Sequence, residues 1–296
     1  MEIIPFSGWG RNVRIVSGNL EMIVTLDVGP RVIRFGFVGG ENHMAVHQKD
    51  AGKTGGDSFV GYGGHRLWIA PEEAGRTLQP DNTPVHFAQQ ESDYVFKSDP
   101  DVNHIQKEIR IRPIGDSFSL IHRLHNLGAY PVSLAPWTPT QCAGGTILFP
   151  QAPFESHQQR LLPTRPLVMW GYTKLSDPRW TWGDQVVRLR HDPTMPSMKI
   201  GTFVSQGYAV CHNHGETFLK RFPADDHWTY SDMGCNFEAF TREDMIEIES
   251  LGPVQTVRPG DYAEHTENWY LISGETPPEN DSECAQWLAS LASTRH

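Results

Sequence analysis

Basic residues are few and scattered in this chain. Of its 296 residues, 25 are Lys or Arg and 35 are Asp or Glu, so the formal net charge is −10 at pH 7. The sequence has no stripe of Lys and Arg that could neutralise the phosphates of DNA or RNA. This absence argues against nucleic acid as a partner.

Cysteine and long apolar runs are also scarce. The four cysteines form no C-x-x-C pair, which argues against a zinc knuckle or a redox motif and favours free buried thiols. A disulfide between distant cysteines, such as Cys211–Cys235, remains an alternative. No apolar run approaches the roughly 20 residues that a membrane helix needs, and the N-terminus shows no signal-peptide pattern. We therefore predict a cytoplasmic protein with no membrane partner.

Three common catalytic signatures are missing as well. The chain contains no G-x-S-x-G elbow, no Walker loop and no G-x-G-x-x-G fingerprint. Their absence argues against an α/β-hydrolase, an NTPase and a dinucleotide-dependent enzyme. We predict no cofactor.

Glycine and proline are plentiful instead, with 27 and 22 residues. They suit short strands joined by turns, because Gly supplies positive φ and Pro presets turn geometry. Four consecutive strand-like runs predict a meander: Val85–Gln90, Asp93–Lys97, Ile105–Pro113 and Ser117–Asn126. One helical pattern, Asn280–Ser293, begins with Asn280 as a candidate cap. We predict one all-β domain over residues 1–296, built from stacked antiparallel sheets with a C-terminal helix.

The segment Ile246–Leu271 opens with a strand that carries two carboxylates. Because side chains alternate along a strand, Ile246 and Ile248 share one face, and Glu247 and Glu249 share the other. Residues two apart on a strand stand roughly 6.6–7 Å apart. Such a pair can divide the roles of acid and base, as in glycoside hydrolysis. The alternative is a solvated outer face.

A second candidate site closes the long Gly-rich loop Asp50–Gly64. Glycines allow the backbone to approach a ligand, and His65 and Arg66 then offer a titratable group beside a fixed fork of donors. We favour a site here over a turn in which Arg66 pairs with a structural carboxylate.

Two further segments carry polar or aromatic groups. His212, His214 and Glu216 would share a face if their segment were a strand, and they could then hold a metal. We favour a turn, or hydrogen bonding to a sugar, over a metal site. We predict no bound metal. Trp182 lies between turn residues, where its flat ring could stack on a sugar or cover the end of the sandwich.

Three short segments resemble the galactose mutarotase-like superfamily, the aldose 1-epimerase group. They are Leu26–Ile33, Gly64–Trp68, and Glu249–Pro253 followed by Pro259-Gly260 and Trp269. The resemblance covers roughly Asn12 to Ser273. It implies a large antiparallel β-sandwich, the supersandwich of that family, and the interconversion of sugar anomers by general acid/base catalysis. Carried over to this chain, Glu249 becomes the base and Arg66 a donor to a sugar oxygen.

The acid is where this chain departs from the family pattern. The family's histidine follows the hairpin that corresponds to Asn126-Leu127-Gly128, but the next strand, Ser133–Gln141, contains no histidine. We therefore expect His65 or His212 to supply the proton. The side chains expected to bind the sugar are Arg66, Trp68, Gln141, Trp182, His214 and Glu247.

Three functions stay open from the sequence. The favoured one is an isomerase of the aldose 1-epimerase kind that acts on a mono- or oligosaccharide. A non-catalytic carbohydrate-binding or sensing domain is the second, and a metal-dependent isomerase or lyase acting on sugar acids is the third. A monomer or a homodimer is expected.

Overall fold

The computed structural model describes residues 2–295, which form 22 strands and one α-helix. In chain order the strands are β1 (Glu2–Phe6), β2 (Trp9–Ser17), β3 (Leu20–Thr25), β4 (Arg31–Phe37), β5 (His65–Arg66), β6 (Trp68–Ala70), β7 (His86–Gln90), β8 (Asp93–Lys97), β9 (Ile105–Ile114), β10 (Ser117–Asn126), β11 (Val132–Cys142), β12 (Thr146–Pro150), β13 (Leu167–Met169), β14 (Trp180–Trp182), β15 (Val186–Arg190), β16 (Met198–Thr202), β17 (Tyr208–Asn213), β18 (Glu216–Arg221), β19 (Phe237–Arg242), β20 (Met245–Leu251), β21 (Gln255–Val257) and β22 (Tyr262–Ser273). The helix, α1, spans Asp281–Ser293.

The strands form two large antiparallel sheets. The twelve-stranded sheet has the order β1-β2-β3-β4-β5-β11-β20-β19-β16-β13, and β6 and β21 also pair with β11. The ten-stranded sheet has the order β14-β15-β12-β17-β18-β22-β10-β9-β8-β7. The predicted all-β fold and the predicted meander, β7 to β10, are confirmed.

The main apolar core lies between the two sheets. Phe35 of the twelve-stranded sheet packs edge-to-face against Phe118, Phe218 and Trp269 of the ten-stranded sheet, with ring centroids 5.2–6.2 Å apart. All four rings are fully buried. Edge-to-face packing places positive ring edges on negative ring faces and adds about 0.5–1.5 kcal/mol per pair to the gain from burial.

The C-terminal helix covers the other face of the ten-stranded sheet. As predicted, Asn280 caps it, and its side chain accepts a hydrogen bond from the Glu283 N–H. Leu288 and Leu291 of α1 are buried in a cluster that includes Val210 and Leu148 of the sheet. Among residues 2–295, no helix has the length and apolarity to cross a bilayer. The four cysteines are free and buried, so the Cys211–Cys235 disulfide is not formed.

Candidate functional site

Glu249 lies on the outer face of the twelve-stranded sheet, near its middle. The alternation along β20 directs Ile246 and Ile248 into the core and Glu247 and Glu249 to the opposite face. That face is covered rather than solvated, because Glu247 is 5% exposed and Glu249 is 0% exposed. A carboxylate that is buried in this way needs charged or hydrogen-bonding partners.

A lysine joins Glu249 to a second carboxylate. Glu249 Oε2 accepts hydrogen bonds from Trp137 Nε1 (2.7 Å) and from Lys199 Nζ (3.0 Å). The same Lys199 Nζ lies 2.6 Å from Glu238 Oε2. Glu238 stands directly opposite Glu249 in the register of β19 and β20. Lys199 also lies over the rings of Trp137 and Trp170, at 4.4 and 4.8 Å from their centroids.

This arrangement leaves one carboxylate charge without a balancing cation. Burial raises the pKa of Glu238 to about 7 and raises the pKa of Glu249 well above its usual range. Burial alone would lower the pKa of Lys199, but the carboxylates of Glu238 and Glu249 outweigh it and raise that pKa. Lys199 therefore stays charged and balances one carboxylate, and the pair retains one proton near neutral pH.

Arg66 provides hydrogen-bond donors on the same face. Its guanidinium stacks on Trp68, with Cζ 3.8 Å from the ring centroid, and its Nη2 lies 3.5 Å from Glu247 Oε1. Burial lowers the pKa of Arg66 to about 10, so the group stays charged at neutral pH. Among residues 2–295, Arg66 Nε and Nη1 and one oxygen each of Glu238 and Glu249 are buried without a hydrogen-bond partner, and Glu247 Oε1 has only the 3.5 Å contact with Arg66. Donors and acceptors on one face are what a polyhydroxylated ligand requires.

His47 marks the Glu247 end of the site. Gln141 lies opposite Glu247 in the β11–β20 register, and its side-chain amide oxygen is 2.9 Å from His47 Nε2. His47 Nδ1 is 3.0 Å from Asp244 Oδ2, and Arg242 Nη2 lies 3.3 Å from His47 Nε2. Burial lowers the pKa of His47.

No protein-family model matches the chain, and no curated protein does. Solved structures match it over nearly its whole length. The Slr1438 protein of Synechocystis sp. PCC 6803 has a TM-score of 0.58 at 12% identity, over 93% of this chain and 100% of that one. A galactose mutarotase-like protein from Lactobacillus casei has a TM-score of 0.58 at 10% identity, over 88% and 99%. A galactose mutarotase related enzyme from Lactobacillus acidophilus has a TM-score of 0.56 at 7% identity, over 88% and 97%.

The chain has the galactose mutarotase-like fold. The predicted β-sandwich of that type is therefore confirmed. At 7–12% identity these likenesses concern the fold, and the chemistry has to be argued from the residues of this chain.

Within the mutarotase-like fold, five of the residues singled out from the sequence do share one face. Arg66 and Trp68 come from the end of the long loop, Gln141 from β11, and Glu247 and Glu249 from β20; Trp137 of β11 completes the group. Glu238, Lys199 and His47 were missed. The alternation of β19 and β16 was a usable signal for the first two, since Phe237 and Ala239 are apolar core residues that flank Glu238.

His65, expected as an acid, lies on the other side of the sheet. It precedes Arg66 on β5, and neighbours on a strand face opposite ways. Its Nδ1 is 2.8 Å from Thr140 Oγ1 and its Nε2 is 2.7 Å from His122 Nε2, between the two sheets. His65 is therefore separated from Glu249 by the sheet itself and does not face the same ligand.

The groups around His65 form a fully buried polar cluster in the core. Lys220 Nζ lies 2.7 Å from Glu267 Oε1, and His265 Nε2 lies 2.7 Å from Ser250 Oγ, which bonds to the same carboxylate oxygen at 2.6 Å. His65, His122 and Glu267 are close enough to hold a metal. The Lys220 ammonium already supplies the positive charge against Glu267, however, so the cluster is charge-balanced by the protein alone.

The three buried histidines predict an acid-sensitive fold. Burial lowers the pKa values of His65 and His122, and that of His265 to about 3. Between about pH 6.5 and pH 3 the unfolded chain binds more protons than the folded one, so stability is lost as the pH falls. Each histidine contributes a slope of up to about 1.4 kcal/mol per pH unit.

Urea unfolding at several pH values between 7 and 5 would measure that slope. We expect His265→Gln to reduce it by about one histidine's share. The exposed His157 is the matched control, and His157→Gln should leave the slope nearly unchanged. Equal slopes for His265→Gln and the unaltered protein would contradict the assignment.

His212, His214 and Trp182 belong to the ten-stranded sheet. β17 and β18 form a hairpin in which Asn213 pairs with Glu216, and His214 and Gly215 make its two-residue turn with φ of 55° and 72°. This segment therefore forms the turn that the sequence favoured over a metal site. His212 Nδ1 lies 2.9 Å from Thr217 Oγ1 and Glu216 Oε2 lies 2.7 Å from His43 Nε2, so His212 and Glu216 have separate partners. Trp182 lies on the edge strand β14 and is 40% exposed.

Proposed function

We propose that the protein binds a sugar over Glu249 and interconverts its anomers by acid/base catalysis, as aldose 1-epimerases do. The observation that carries the proposal is the pair of buried carboxylates, Glu238 and Glu249, which share Lys199. A pair that holds one proton near neutral pH contains both an acid and a base. Its position on a mutarotase-like sheet supports a sugar as the substrate.

Each polar group has a role in the proposed reaction. In the reactive form the proton shared by the pair lies on Glu238, so that Glu249 removes the proton of the anomeric hydroxyl and Glu238 donates its proton to the ring oxygen. The bond between C1 and the ring oxygen then breaks and the C1–C2 bond rotates. On closure Glu238 takes back the proton of the ring hydroxyl and Glu249 returns its proton to the carbonyl oxygen, which gives the other anomer. Arg66 donates to a sugar hydroxyl, and Lys199 stabilises the charge shared by the two carboxylates.

The proposal predicts a loss of activity at alkaline pH. Since the active form carries one proton on the pair, kcat/KM should fall at alkaline pH, where the pair loses that last proton; burial raises the pKa of both carboxyl groups, and that of Glu249 well above its usual range. Polarimetry with freshly dissolved α-glucose, α-galactose and α-mannose measures the rate.

Glu238→Gln tests the assignment of the acid. It should slow the reaction by about 10²-fold and remove the alkaline fall. The exposed Glu41 is the control, and Glu41→Gln should change neither. A Glu238→Gln protein with an unchanged pH profile would rule Glu238 out as the acid.

A second candidate, a carbohydrate-binding protein without turnover, is supported by one observation. Glu249 Oε2 is already held by Trp137 and Lys199, and within residues 2–295 no histidine bonds to Glu249. Calorimetry separates the two candidates. Heat of binding from a sugar whose anomers the protein does not interconvert would select the binding protein.

A further inference from the structure

A cavity is lined by residues just beyond the ends of β16 and β19, the strands that carry Lys199 and Glu238. It has a volume of about 570 Å³, within the about 300–1,000 Å³ range of small-molecule sites. Its lining includes the rings of Phe203, Trp228 and Tyr230. The Phe203 and Tyr230 centroids are 5.6 Å apart, and those of Trp228 and Tyr230 are 6.5 Å apart. Trp228 is 44% exposed, so its ring is available to a ligand.

The polar lining of this cavity carries both signs of charge. Arg160 Nε lies 3.7 Å from Glu155 Oε2, and Arg165 and Asp226 also line the cavity. Two cations are thus matched by two anions, which gives no net attraction for a phosphate or a carboxylate ligand. Hydrogen-bond donors and acceptors beside flat aromatic faces match the hydroxyls and C–H faces of neutral sugars.

Two chain connections link the cavity to the Glu249 site. Gly234 lines the cavity and precedes Glu238 by four residues, and Phe203 lines it and follows Gly201 by two residues. Gly201 stands opposite Glu238 in the register of β16 and β19. At about 3.3 Å per residue of extended chain, these connections span at most roughly 7 Å from Gly201 to Phe203 and at most roughly 13 Å from Glu238 to Gly234. Neighbouring units of one oligosaccharide can bridge such a separation.

We propose that this cavity binds the second and third units of a neutral reducing oligosaccharide whose reducing-end unit lies over Glu249. The proposal rests on the function proposed above, and it narrows the substrate class from sugars in general to oligosaccharides. The predicted sugar platform Trp182 fits the same extension, because it lines a smaller cavity that shares Phe203 and Arg165 with this one.

Binding as a function of chain length tests the proposal. The probes are glucose, maltose and maltotriose, and cellobiose and cellotriose, each titrated into the full-length protein by calorimetry with tryptophan fluorescence as a second readout. We expect a trisaccharide to bind at least tenfold more tightly than glucose. Trp228→Ala should weaken trisaccharide binding about tenfold and leave glucose binding unchanged, and Trp228→Phe should retain most of the affinity.

Tyr130→Ala is the matched control, since Tyr130 is an exposed aromatic residue, 78% accessible, outside the cavity lining. It should not change the affinity for any probe. Equal affinity for glucose and for every trisaccharide would overturn the proposed subsite, as would a Trp228→Ala protein with unaltered trisaccharide binding. Binding of no probe by the unaltered protein would overturn it as well.

The outcomes also distinguish this proposal from the catalytic one. Length-dependent binding that requires Trp228 but comes without interconversion of anomers would support the subsite and remove the epimerase function. Turnover of glucose at the same efficiency as maltotriose would support the function and remove the subsite.

Discussion

Glu249→Gln is expected to lower the rate of anomer interconversion by about 10²–10⁴-fold, the usual contribution of a general base. The amide keeps the shape of the side chain and can still accept the hydrogen bonds of Trp137 and Lys199, but it cannot take a proton. Lys199 keeps Glu238 as its counter-charge. The variant should therefore fold and bind sugar while turnover is lost.

Polarimetry measures turnover and calorimetry measures sugar binding, and both are run on the same preparation of the variant. Glu264→Gln is the control, because Glu264 is also a glutamate on a strand but its side chain is 40% exposed and pairs with Arg123 on the ten-stranded sheet. It should retain full activity. Interconversion of every tested aldose at an unchanged rate by Glu249→Gln would end the proposal that Glu249 is the base.

Lys220→Met is expected to cost about 3–5 kcal/mol of unfolding free energy. The substitution leaves Glu267 charged, 0% exposed and without its ammonium partner. Burial alone would raise the pKa of Glu267, but Lys220 and the surrounding histidines outweigh it and hold that pKa below its usual range. Lys220 also donates to Thr138 O, Thr140 Oγ1 and Ile248 O, so three further acceptors lose a partner.

Denaturant unfolding measures the loss of unfolding free energy in Lys220→Met, and a variant of the surface ion pair between Lys53 and Asp50 is the control. Lys53 lies 3.0 Å from Asp50 and is 62% exposed, so Lys53→Met should cost less than about 1 kcal/mol. The double variant Lys220→Met/Glu267→Gln should be more stable than Lys220→Met alone, because no unpaired charge is left in the core. Similar costs for Lys220→Met and Lys53→Met would show that the buried pair is not critical.

The strand pattern was predictable because it depends on neighbours along the chain. Alternation placed Glu247 and Glu249 together on one face, and the helix beginning after Asn280 has the expected cap. The same alternation directs His65 and Arg66 to opposite faces of the sheet. The prediction missed this because it treated their segment as the end of a loop. Once β5 is recognised as a strand, His65 falls into the core and only Arg66 reaches the site.

The rest of the site depends on contacts between distant segments. Gln141 meets His47 across 94 positions of the chain, and Lys199 meets Glu249 across 50. No local pattern encodes such distances. The absence of a histidine from Ser133–Gln141 was visible in the sequence, but the carboxylate that we propose in its place could be found only from the register of β19 and β20.

That register is set by the two residues between Arg242 and Met245, which connect β19 to β20. Loops usually tolerate insertions. Here one inserted residue that shifted the pairing would turn Glu238 into the core and Ala239 toward Glu249, because a slip of one position reverses every side chain of a strand. The proton-sharing pair thus depends on the length of a surface turn, and homologues with a longer turn at this point would need a different acid.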